Sequence, residues 1–204
     1  GFKGINVGKD VGHAVDVNAK DHTLTFITRL DKNGTEAGVA ANSLEGVTIT
    51  AKKLVIDANS TKGRIEGINI GGQGQANKDR PNKLTINGDT TMKVRGNGYT
   101  LGLYAAGNSE VVFNGNVTML GDEPSKWGLT SKNGAFGYYG CSFIYSGNNY
   151  TLQMGPKVTV NGDVYGTIDG NGLFGNGGHA KLTINGGGNI EMVRDYIENG
   201  MSVD

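Results

Sequence analysis

The chain has 204 residues, of which 36 are glycine, about 18% against a usual share of about 7%; with three prolines and no Gly-X-Y period, collagen and Pro-rich disorder are excluded. Lys+Arg and Asp+Glu balance at 19 each, so no net positive charge recruits a phosphate backbone, and nucleic acid is excluded as a partner class. No run of about 18 apolar residues offers direct membrane insertion, and an apolar share of 36% is lean for a thick globular core but sufficient for a thin interior repeated many times.

The chain opens on Gly1-Phe2-Lys3, without an initiator Met or a signal-peptide pattern, and is expected to be a piece of a longer protein. Residues 23–28, 47–50 and 54–57 alternate apolar and polar side chains, which predicts strands of early coils. Gly67-Ile68-Asn69-Ile70-Gly71 is the first of a set of short Gly-bounded strands that returns as Gly102-Leu103-Tyr104-Ala105-Ala106-Gly107 and Gly172-Leu173-Phe174-Gly175. The polar stretch 73–82 reads as a surface insertion.

The main repeat then begins. Lys83-Leu84-Thr85-Ile86-Asn87-Gly88-Asp89 is followed by Glu110-Val111-Val112-Phe113-Asn114-Gly115-Asn116, Lys157-Val158-Thr159-Val160-Asn161-Gly162-Asp163 and Lys181-Leu182-Thr183-Ile184-Asn185-Gly186-Gly187. A strand after each Asn-Gly, such as 90–94 or 116–120, completes a coil of three strands. The corner asparagines Asn87, Asn114, Asn161 and Asn185 are spaced 27, 47 and 24 residues apart. The spacing of 47 is close to two repeats, so a weakly marked coil containing Ser142-Phe143-Ile144-Tyr145 is expected between Asn114 and Asn161. Residues 189–193 read as a last strand.

These elements predict an all-β chain folded as a parallel β-helix of roughly eight coils, one domain over 1–204, with insertions at about 73–82 and 122–139. Asn-Gly between alternating apolar residues is also a hairpin signal, so an antiparallel sandwich competes. A sandwich does not return the same strand, turn and charge every 24 to 27 residues, and the solenoid is preferred. In it, Leu84 and Ile86 point inward, Thr85 points outward, and the four corner asparagines stack as a ladder that satisfies their amides.

The segment 122–139 breaks the repeat and carries Trp127, Phe136, Tyr138 and Tyr139, including the only tryptophan. Aromatic side chains give contact area at low entropic cost, so these four are the candidate binding residues; the competing reading is a loop folded back to cap its own coil. Catalytic patterns are missing. Gly178-His179-Ala180 lacks the second glycine and the acidic pair of a polygalacturonase-like site, and Asp122-Glu123 before Pro124 reads as a loop. Asp89, Asn116 and Asp163 share one repeat position but read as corner hydrogen bonding rather than a cation row. His13, His22 and His179 are far apart, Cys141 has no partner for an internal disulfide, and no metal or cofactor motif is found.

Gly102-Leu103-Tyr104-Ala105-Ala106-Gly107-Asn108 running into Val111-Val112-Phe113-Asn114-Gly115-Asn116-Val117-Thr118 resembles the passenger domains of Gram-negative autotransporters. The resemblance covers about residues 65–195. It implies a right-handed β-helix, display at the bacterial cell surface or release outside it, secretion through an outer-membrane barrel that these residues do not include, and a non-catalytic role in adhesion or cell–cell aggregation. The partners so implied are a host-surface or extracellular-matrix glycan or protein, or the same protein on a neighbouring cell. Two alternatives stand beside it: a polysaccharide-active β-helix lyase or hydrolase, and a passive stalk holding a distal binding domain.

Overall fold

A computed structural model describes residues 4–72, 80–96, 100–120, 136–137, 143–147, 150–154, 156–169 and 181–194. The alternation of β-branched residues with polar ones becomes a series of long strands: β1 (Ile5–Val7), β2 (Val15–Leu30), β3 (Thr35–Ala41), β4 (Val47–Ser60), β5 (Arg64–Gly72), β6 (Asn82–Gly96) and β7 (Thr100–Gly107). Shorter strands follow: β8 (Ser109–Asn114), β9 (Val117–Leu120), β10 (Phe136–Gly137), β11 (Phe143–Gly147), β12 (Tyr150–Met154), β13 (Lys157–Val160), β14 (Val164–Asp169), β15 (Lys181–Ile184) and β16 (Gly188–Arg194). Among the described residues every strand pair is parallel except β11 with β12. The antiparallel sandwich is thereby excluded.

Two parallel sheets are built from alternating segments of the chain. One holds β1, β3, β5 and β7 in that order; the other holds ten strands, in which β2, β4 and β6 run on through the corner while the later repeats split there into β8 with β9, β13 with β14 and β15 with β16. Each strand pairs with its equivalent in the next repeat, so identical positions fall on one another. Val15, Val47, Leu84, Val111, Val158 and Leu182 form one column by register, and Val17, Ile49, Ile86, Phe113, Val160 and Ile184 form the next. From Val47 through Leu182 the first of these columns is buried, and burying such side chains contributes about 1.5–3 kcal/mol each.

The register corrects the count of repeats. The ten-stranded sheet has six successive layers among the described residues, not eight, and they span about 24 Å at about 4.8 Å per step. Val158 pairs directly with Val111, so Asn161 lies over Asn114 with no coil between them, and the 47-residue spacing is one repeat enlarged by insertion. Phe143–Gly147, expected as a coil strand, instead pairs antiparallel with Tyr150–Met154 in a sheet of its own. A period of two is common to a hairpin strand and a coil strand, so the pattern alone could not separate them. The expected insertion 73–82 also ends earlier. Asn82 begins β6, is buried and donates from its amide to the Gly71 carbonyl, while Arg80 pairs with Glu45 at 2.7 Å on the surface.

The corner glycines are required by the closeness of this stacking. A Cβ placed on Gly88, Gly115, Gly162 or Gly186 would collide with the main-chain carbonyl of Ala51, Gly88, Gly115 or Gly162 respectively, one layer below. Gly115→Ala is therefore expected to cost about 1–3 kcal/mol in chemical denaturation, because backbone and not a flexible side chain stands in the way. Gly12→Ala, with nothing within 4 Å, is expected to cost under about 0.5 kcal/mol. An equal effect of the two would show that backbone stacking is not what selects glycine.

One inward column carries a misfit. Leu54, Thr90, Val117 and Val164 are in register, and the Thr90 hydroxyl is buried with no hydrogen-bond partner. Thr90→Val removes that uncompensated group at constant shape and is expected to stabilise the chain by about 1 kcal/mol, read as a rise in the denaturation midpoint.

Candidate functional site

The four corner asparagines lie in one line and hydrogen-bond in series. Asn87 Nδ2 donates to Thr50 Oγ1 at 3.3 Å, Asn114 Nδ2 to Asn87 Oδ1 at 2.9 Å, Asn161 Nδ2 to Asn114 Oδ1 at 2.9 Å, and Asn185 Nδ2 to Asn161 Oδ1 at 2.8 Å. An amide has one donor and one acceptor end, so a column of amides one strand spacing apart satisfies itself. Two residues on, a second series runs from side chain to main chain. Asp89 Oδ1 accepts from the Asn116 N–H at 2.9 Å, Asn116 Oδ1 from the Asp163 N–H at 2.8 Å, and Asp163 Oδ1 from the Gly187 N–H at 2.8 Å. The carboxylates at this position thus clamp the next corner, and among the described residues no group of three His, Cys, Asp or Glu is placed to hold a metal ion.

Trp127, Tyr138 and Tyr139 lie outside the described residues, as do Gly178-His179-Ala180, Asp122-Glu123 and Cys141. The backbone of Phe136 is in β10, which joins the ten-stranded sheet by pairing with Ile168 of β14.

The outward face of the strands after the corner holds a group that single-sequence reading did not assemble. By register, Ile27, Asp57, Lys93 and Leu120 form one row across β2, β4, β6 and β9, and Arg29, Asn59 and Arg95 form the next. Between them is an open, shallow depression of about 340 Å³ lined by Asp57, Ala58, Asn59, Lys93, Arg95 and Leu120. Arg29 Nη1 is 3.0 Å from Asp57 Oδ1, which offsets that cation. Lys93 and Arg95 form no ion pair among the described residues and stand exposed on the same face of β6. Leu120, 38% exposed, is beside Lys93 in its row, and Ile27, 51% exposed, is at the other end of that row beyond Asp57. Leu120 is also the last described residue before 121–135. The arrangement suits an extended, negatively charged group lying along β6 better than an enclosed small molecule.

Comparison with known families, curated proteins and solved structures finds no match to the chain.

A second polar group is buried. Glu66 on β5 is fully shielded from solvent, with Arg64 Nε donating to Oε1 at 2.6 Å and Asn69 Nδ2 donating to Oε2 at 2.6 Å. Asn69 Oδ1 accepts from Asn42 Nδ2 at 3.4 Å, and Asn42 Oδ1 accepts from the Gly71 N–H at 2.6 Å. The Arg64 guanidinium lies 4.5 Å from the centre of the Tyr104 ring. Burial pushes the Glu66 carboxyl above the usual carboxylate range, and the Arg64 charge and the two hydrogen bonds oppose this only in part. No partner motif marks this residue in the sequence, where a lone glutamate in a strand reads as solvated.

The raised pKa means that the folded chain holds a proton on Glu66 over a pH window where the unfolded chain has lost it. The associated stability is complete below the ordinary carboxylate value and is lost as pH rises through the raised one. Urea denaturation across this window is expected to show wild-type stability falling with pH relative to Glu66→Gln, whose profile lacks that component. Parallel profiles would show that Arg64 and Asn69 fully compensate burial.

Proposed function

We propose that the chain is part of a right-handed parallel β-helix from a non-catalytic, autotransporter-like surface passenger that acts in adhesion or cell–cell aggregation. Parallel pairing of each repeat with the next, the Asn column at one corner and backbone-on-backbone glycines support the solenoid part of this reading. The observation that carries the functional part is the exposed, cation-bearing face around Lys93 and Arg95, with exposed Leu120 beside it. Binding surfaces of this kind act by charge and contact area; no step of bond making is needed from them. The ligand is a surface of opposite charge, an acidic glycan or an acidic protein patch on a host or neighbouring cell.

The test uses the chain on acidic and neutral glycan arrays and, displayed on bacteria, in adhesion and aggregation assays. The double variant Lys93→Glu/Arg95→Glu is expected to remain folded and to weaken binding about tenfold or more, and wild-type binding is expected to fall with added salt. If binding survives that variant but is lost when Trp127, Tyr138 and Tyr139 are replaced by Ala, recognition lies in the aromatic segment. Binding to nothing in either format, with the chain folded, would favour the passive stalk.

A further inference from the structure

Asn-Gly is the dipeptide most prone to spontaneous deamidation, because glycine leaves its nitrogen free to approach the preceding side chain. Five such pairs lie among the described residues, at Asn33, Asn87, Asn114, Asn161 and Asn185. Four are in the corner ladder. The fifth is not: Asn33 is exposed in the turn between β2 and β3, and its side chain makes no hydrogen bond. A side chain on Gly34, at φ 135°, would meet nothing within 4 Å, while the Gly34 carbonyl accepts from the Arg64 N–H at 2.9 Å and Gly63 packs against its backbone.

We propose that Asn33–Gly34 is a site of spontaneous deamidation, and that the asparagine ladder keeps its own four Asn-Gly pairs intact. At Asn33 the Gly34 main-chain nitrogen loses its proton and attacks the side-chain carbonyl carbon. A new C–N bond closes a succinimide, and the bond to the amide nitrogen breaks, releasing ammonia. Water then opens the ring at either carbonyl, leaving aspartate or its β-linked isomer. No oxidant, metal or enzyme is required.

In the ladder the same step is obstructed twice. Asn114 donates to Asn87 and accepts from Asn161, each at 2.9 Å, so turning its amide onto the Gly115 nitrogen breaks both bonds. The corner backbone is also held, with Gly115 packed on the Gly88 carbonyl and the Asn116 N–H bound to Asp89. The stack has to open locally before the chemistry can begin. The consequences differ as well. An aspartate at 114 would set a carboxylate oxygen against the Asn87 oxygen, and the β-linked isomer would lengthen the main chain by one carbon at a corner that must stay in register. At Asn33 no equivalent side chain is stacked on the amide, and the product is one added negative charge in an exposed turn.

The experiment is incubation of the intact chain at mildly alkaline pH, with peptide mapping by mass spectrometry over time, in buffer and in denaturant. In buffer, the peptide containing Asn33 is expected to convert first among these five, and the four ladder peptides at least about tenfold more slowly. In denaturant the five rates are expected to converge. Asn114→Ala, checked for retained β-sheet signal, is expected to accelerate conversion at Asn87 and Asn161 severalfold; should it fail to fold, Thr50→Val removes the acceptor of the Asn87 Nδ2 while Asn87 Oδ1 still accepts from Asn114, and is expected to accelerate Asn87 alone and to a smaller extent. Ladder peptides converting at the pace of Asn33 in the folded chain would overturn the proposal, as would a spread of rates that persists in denaturant.

Discussion

Parallel pairing in register is the constraint on which the rest depends. When each repeat lies directly on the last at about 4.8 Å, every residue has as its principal neighbours the residues at its own position in the repeats above and below. A position is stable only if its residue packs well against others of its kind. Apolar side chains do, which gives the column through Ile49, Ile86 and Phe113. Asparagine does, because its amide is self-complementary. Glycine does where backbones nearly touch. The repetitive sequence is thus a consequence of the pairing geometry, and the buried columns of successive layers join in one continuous apolar core.

Energetically the corner and the interior have different parts. The asparagine amides are mostly exposed, so each ladder bond contributes at the low end of about 0.5–1.5 kcal/mol. The buried columns supply most of the stabilisation. What the ladder adds is register. A slip by one residue would turn Leu84 and Ile86 outward, set Asn against Gly and bring a side chain onto a carbonyl that leaves no room for it. Glu66 shows the opposite case, a charged side chain buried in the smaller sheet, where a guanidinium and an amide have to be brought to it from its own strand.

Legibility from sequence followed the same rule. The strands through Leu84, Val111, Val158 and Leu182 could be aligned by eye because stacking makes equivalent positions alike, and from that alignment the Asn corners, the parallel class and the inward set could all be stated. Two kinds of information were out of reach. The interval between Asn114 and Asn161 has the length of two repeats, and Phe143 to Tyr145 alternate as a coil strand does; only pairing shows that Asn161 rests on Asn114. The group of Arg29, Asp57, Lys93 and Arg95 comes from three repeats whose lengths differ, 37 residues from Val47 to Leu84 against 27 from Leu84 to Val111, so their shared face depended on a register no motif marks. Glu66 lies next to Gly67-Ile68-Asn69, and nothing in its local pattern distinguishes a buried carboxylate from a solvated one.

The stacking rule also limits how much charge the outer face can concentrate. Identical charges directly opposite one another repel, and the rows avoid this except where Lys157 lies beside Lys181. Lys83 is followed by Glu110, 3.6 Å away, and then by Lys157; Arg29 and Arg95 are separated by the neutral Asn59; Lys93 has Asp57 on one side and Leu120 on the other. Asp57 is engaged by Arg29. Lys93 and Arg95 are therefore left as two cations on a single strand, two residues apart and each beside an uncharged or acidic neighbour. Their positive patch runs along the strand, where side chains two residues apart share a face, and not across it. The depression lined by Asp57, Ala58, Asn59, Lys93, Arg95 and Leu120 lies beside both of them.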